Sequence, residues 1–150
     1  MAGRMSAASA PVTLTDRSEW QMSPLTDRDY DELTEWARAH VVDVARRSIE
    51  LMPECSNHDA ETIYRVALSK ALETTWSSEE GKQLFMTPFG VCRLFWQSIK
   101  KRHPNAQESN LRPLFYVAGN ITRVMDLFFD INNRAPADEN PTGPVAAPAP

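Results

Sequence analysis

The stretch Thr87–Pro104, TPFGVCRLFWQSIKKRHP, decides the fold class. Thr87 can accept a free amide hydrogen at a helix start, and proline suits the first helical position, where its missing donor costs nothing. Val91, Cys92, Phe95 and Ile99 follow at steps of one, three and four, which places them on one side of a helix. Lys100, Lys101, Arg102 and His103 set cations beside the negative helix end, and Pro104 forbids continuation. The apolar residues exceed one stripe. Phe89, Leu94 and Trp96 widen the face beyond half the circumference, whereas a surface helix needs only about a 100° stripe. Such a helix is central to its core, keeps apolar surface for a partner, or does both.

Working outward, Pro24-Leu25-Thr26 leads into Asp27, Asp29 and Asp31, acidic residues suited to a helix start. Tyr30, Leu33, Ala37, Val41 and Val44 then predict a helix running to Met52, with a second facet through Val42, Ala45 and Ile49. A second helix fits Asp59–Trp76, capped by Asn57, His58 or Asp59, with Ile63, Val66, Ala67 and Leu72 as its buried stripe. Ser77-Ser78-Glu79-Glu80 breaks it and opens a short turn through Leu84, Phe85 and Met86. After a polar linker, LRPLFYVAG reads as two turns of helix ended by Gly119. Asn120 then caps a last helix through Ile121, Val124, Met125 and Phe128, flanked by Leu127, Phe129 and Ile131. No segment alternates as a half-buried strand does. The expectation is an all-α fold: a compact bundle of five to six short helices over residues 20–134. Residues 1–19 are expected as a flexible N-terminal tail, and 135–150 as a Pro/Ala-rich tail that joins no helix.

Composition excludes several classes. The chain has 150 residues, 42% hydrophobic and 24% charged, enough for a real core and average for a globular protein. A net charge of −4 works against a broad nucleic-acid surface. Two cysteines, Cys55 and Cys92, are too few for a disulfide-stapled secreted domain. The N-terminus lacks the apolar core of a signal peptide, and no stretch approaches the roughly 18–20 apolar residues of a membrane span, so the cytoplasm is the expected location.

No phosphate loop, nucleophile elbow, zinc pattern or metalloprotease helix occurs, so no catalytic, cofactor or metal residue is assigned and the chain is expected not to be an enzyme. Cys55 and His58 stand three apart, but no second pair completes a zinc site. Lys100, Lys101 and Arg102 are the candidate nucleic-acid contacts, although complementing the helix end explains their position. The candidate partner-binding residues lie on the two widest apolar helices: Phe89, Leu94, Trp96, Leu127 and Phe129.

The segment TTWSSEEGKQLFMTPFGVCRLFWQSIKKRHP resembles tail assembly chaperones of long-tailed bacteriophages. A "TPEG"-like turn is matched by Thr87, Pro88 and Gly90. An apolar helix with a tryptophan is matched by Leu94 and Trp96, and an "RKxHP"-like end by Lys100, Lys101, His103 and Pro104. The later helices follow in similar places, so the resemblance spans mainly residues 76–133. Phe89 stands where the pattern has an acidic residue, and the upstream half matches only in helical layout. The resemblance implies a non-enzymatic protein of the host cytoplasm that coats the long, helical tape measure protein. It would keep that client soluble until tail tube protein polymerises around it, with self-association among the copies. It also implies a longer frameshifted product, which a Pro/Ala-rich tail would suit. The alternatives are a small helical nucleic-acid-binding regulator and a structural head–tail component of the virion.

Overall fold

The computed structural model describes residues 9–139, with side chains to residue 133. The fold class is all-α, as expected: six α-helices and one 3-10 helix among the described residues, beside a single two-stranded sheet. The described chain divides into two compact units, where one domain over 20–134 was expected. One unit is residues 27–87. The other joins the N-terminal segment through Thr26 to everything from Pro88 onward.

The 27–87 unit holds α1 (Asp27–Glu50), α2 (Asn57–Glu73) and α3 (Glu79–Phe85). Asp27 and Asp29 occupy the first turn of α1, where the helix end is positive. Ser56, one residue before the expected caps, caps α2 by accepting the Asp59 amide at 3.1 Å. Arg38 on α1 reaches the far end of α2, its Nε donating to the Thr74 carbonyl at 2.9 Å and its Nη2 to that of Leu72 at 3.3 Å. Those carbonyls would otherwise lack a helical partner. Trp76 packs against Tyr30 and Phe85 with ring centroids 5.2 and 5.1 Å apart, and Trp36 lies 5.4 Å from Phe85. Ser78 starts α3 by accepting the Gly81 and Thr75 amides at 3.1 and 3.0 Å.

The buried stripe of α2 differs from expectation. Ala67 and Ala71 are its buried residues, whereas Val66 and Leu72 are exposed. Small side chains let α1 approach closely along an alanine seam, and the larger residues to either side stay outside it.

The second unit is built around α4 (Pro88–Ile99), the helix predicted from its caps. Eight of its twelve residues are buried, so the wide apolar face is mostly core. Glu108–Leu111 (α5) and a 3-10 turn at Arg112–Tyr116 replace the expected two-turn helix, because Pro113 removes a backbone donor there. The last helix, α6, runs over Ala118–Glu139 and brings Val124, Phe128 and Ile131 into the same core. It passes Pro136 and ends five residues into the stretch expected to be a tail. A helix can pass a proline by giving up one hydrogen bond, and residues 140–150 lie outside those described.

The larger correction is at the N-terminus, where part of the expected tail is folded. Strands β1 (Ala10–Thr13) and β2 (Glu19–Met22) pair antiparallel, with Val12 opposite Trp20, and bury Val12, Leu14 and Met22. Their turn uses Arg17 at φ 71°, a left-handed position that glycine or asparagine usually fills. Residues 1–8 lie outside those described. The hairpin is stitched down by distant side chains. Asn120 Oδ1 accepts the Thr15 amide at 2.8 Å, and its Nδ2 donates to the Leu114 carbonyl at 2.8 Å. Asn120 is therefore a fully buried clamp inside α6, not the helix cap read from sequence. His103 Nε2 accepts the Gln21 amide at 2.9 Å, and Arg123 donates to the Thr13 carbonyl at 2.8 Å.

Two outcomes check this packing. A Cβ at Gly81 would overlap the Thr75 carbonyl oxygen, so Gly81→Ala should destabilise the protein by about 2 kcal/mol in denaturant titrations. His40, stacked on Trp36 at 5.6 Å, has its pKa lowered from 6.5, chiefly by burial and then by Arg47, with Asp43 opposing. The folded state thus disfavours the proton. The contribution is intact above pH 6.5 and is lost as pH falls below it. Between pH 7 and 5.5 the wild-type stability should fall more than that of His40→Gln.

Candidate functional site

The five residues expected to bind a partner have different fates. Leu94 is completely buried and belongs to the core. Trp96 is half-buried: its indole Nε1 donates to the Ala106 carbonyl at 3.1 Å, and Arg93 and Lys100 sit 4.6 and 5.0 Å from its ring. Leu94 is thereby removed from the accessible surface, because α4 spends its widest face within its unit, whereas Trp96 keeps part of its ring accessible.

Phe89, Leu127 and Phe129 remain accessible, but not as one patch. Phe89 is partly exposed under the Arg112 guanidinium, 5.4 Å from its ring, and shares a small cleft of about 50 Å³ with Pro88, Cys92 and Tyr116. Leu127 is half-buried and lines a separate, shallow depression beside Pro11, Val12 and Thr13. Phe129, 48% exposed, sits edge-on to Phe128 at 5.8 Å.

The basic run is dispersed as well. Lys100 is half-buried on Trp96, whereas Lys101 and Arg102 are exposed, Arg102 within 3.5 Å of Ser9 Oγ. His103 serves the hairpin. Two exposed cations make a small footprint for a polyanion.

The accessible apolar surface lies mostly elsewhere. Of the twelve exposed large hydrophobic side chains among the described residues, eight belong to the 27–87 unit, which makes that unit the candidate surface. Val44, Leu51 and Met52 lie on or just past α1, and Tyr64, Val66, Leu68 and Leu72 on α2. At the turn between these helices, Leu51, Met52, Cys55 and Ile63 with Glu54 and Asp59 line an open cleft of about 690 Å³. Sequence periodicity missed this surface by counting Val66 and Leu72 as core. The signal that could have found it is the spacing of Ala60, Ala67 and Ala71, a seam of small residues with large ones outside it.

Chemically reactive groups are sparse among the described residues. Both cysteines are free. Burial, reinforced by the Glu108 carboxylate, pushes the Cys92 thiol up to about 12, so it stays protonated and inert. No group of three or more His, Cys, Asp or Glu could hold a metal among these residues, and no helix there is long and apolar enough to cross a membrane.

The two apolar residues Leu94 and Phe129 should respond oppositely to a charge. Leu94→Asp should unfold the protein, because it buries a carboxylate in a closed core. Phe129→Asp should keep the helical circular dichroism and shift the melting temperature by only a few degrees.

No protein-family model, curated protein or solved structure matches this chain.

Proposed function

We propose that this protein is a non-enzymatic tail assembly chaperone of a long-tailed bacteriophage, acting in the host cytoplasm. It binds the tape measure protein and keeps it soluble until tail tube protein polymerises. The observation that carries the reading is the concentration of exposed apolar side chains on the α1–α2 hairpin of an otherwise well-packed chain. Soluble proteins seldom leave such patches without a partner. A long helical client offers apolar stripes that helix faces can cover. The resemblance around Thr87–Pro104 supplies the biological setting, and the hairpin supplies the binding surface.

Relative to the sequence expectation, which named Phe89, Leu94 and Trp96 on α4 and Leu127 and Phe129 on α6, the proposed contact residues move to the hairpin. A surface built from two helices can cover several turns of client at once, whereas α4 is already enclosed.

The test is co-expression with the neighbouring genes, followed by affinity purification and mass spectrometry. Recovery of one very long, helix-rich protein, together with the protein's absence from purified virions, is the expected result. Salt-sensitive retention of nucleic acid through Lys101 and Arg102 would overturn the reading in favour of a regulator. Stoichiometric presence in mature particles would overturn it in favour of a virion component.

A further inference from the structure

On α2, Tyr64, Leu68 and Leu72 recur at i, i+4 and i+8, so they form one line along the helix. They are 37%, 41% and 73% exposed, although leucine and tyrosine normally turn most of their surface inward. The line is about 12 Å long at 1.5 Å per residue, the length of two helical turns. Glu61 continues it one turn earlier, with a carboxylate 73% exposed and loosely paired with Arg65 at 3.9 Å. The alanine seam on the adjoining side of α2 is spent against α1 within the unit. The line is therefore not needed to hold the hairpin together.

Charge selects the occupant. Residues 27–87 carry thirteen acidic and seven basic side chains, a net of −6, while the rest of the chain sums to +2. The negative charge is thus concentrated on the unit that displays the apolar line. A second copy would bring one unit of net −6 against another, which is unfavourable at long range, while α2 itself carries Asp59, Glu61 and Glu73 against Arg65 and Lys70. Nucleic acid and anionic lipid are disfavoured for the same reason. A partner that supplies both an apolar stripe and positive flanks is an amphipathic basic helix, read through anchors three to four residues apart.

We propose that the Tyr64–Leu68–Leu72 line of α2 docks an amphipathic helix whose apolar stripe is flanked by lysine or arginine. This rests on the reading of the protein as a binder of helical clients, and adds which client segments it selects.

The experiment uses the full chain and two synthetic helices with the same leucine stripe, one flanked by lysines and the other by glutamates. Fluorescence anisotropy should show the lysine helix binding at least about tenfold more tightly at low salt, with the margin shrinking as salt screens the charges. The double variant Leu68→Ser/Leu72→Ser should lose about tenfold or more in affinity with its helicity unchanged. Should it lose helicity, Leu72→Ser alone, at the most exposed position of the line, should still weaken binding severalfold. Phe129→Ser, on the other unit, should bind like the wild type.

Equal binding of the two helices, or full affinity in the folded serine variants, overturns the proposal. So does a dimer in gel filtration that the serine substitutions dissolve, since that would make a second copy the occupant. If the protein keeps its long client soluble while the lysine helix fails to bind, this inference falls and the chaperone reading stands.

Discussion

The enclosure of α4 is the constraint on which the rest of its unit depends. Val91, Leu94, Phe95 and Ile99 are completely buried, and no single neighbouring helix could cover a face that wide. At roughly 1.5–3 kcal/mol for each large side chain removed from water, α4 repays enclosure on every side. α6 covers part of it with Phe128 and Ile131, and the 3-10 turn adds Phe115, whose ring lies 5.3 Å from that of Phe95. What remains is closed by the hairpin, which brings Trp20 to 5.8 Å from Phe95 and donates the Ser23 amide to the Ser98 carbonyl at 2.9 Å.

A hairpin of two four-residue strands is too small to hold itself together in water. It persists because α4 needs a cover and because His103 and Asn120, 82 and 105 residues away, accept its amides, while Asn132 accepts the Leu25 amide just past it. Each such bond contributes only about 1 kcal/mol net, but leaving the same amides buried and unmet would cost more. Both polar side chains that the sequence assigned to helix ends, His103 and Asn120, are in this way committed to the N-terminal segment.

That division explains what could be read from sequence. The caps and stops of α4, with Thr87, Pro88 and Pro104, are local chemistry and were legible, as was the start of α3 at Ser78. The hairpin was not. Its strands are short, Pro11 sits inside one of them, only Val12 of β1 is buried, and Arg17 occupies the turn position where glycine or asparagine would signal a reversal. The candidate site was legible only in kind. Excess apolar surface was evident, but periodicity cannot tell which of two apolar flanks a neighbour will cover. Leu94 and Leu72 look alike in sequence, yet one is completely buried and the other 73% exposed. The difference lies in the neighbour: α4 is surrounded, while α2 meets α1 through alanines.

The alanine seam also sets how strong a docking event on α2 can be. Covering the parts of Tyr64, Leu68 and Leu72 that remain exposed, about one and a half side chains' worth, would yield roughly 2–5 kcal/mol. Association costs at least about 4 kcal/mol in lost freedom, before any side-chain ordering. One copy on one helical segment is therefore a weak complex, and the acidic surroundings add rate and selectivity more than strength. Weakness of this kind suits a client that repeats its apolar stripe many times. Copies bound side by side along such a chain would hold it collectively through many weak contacts.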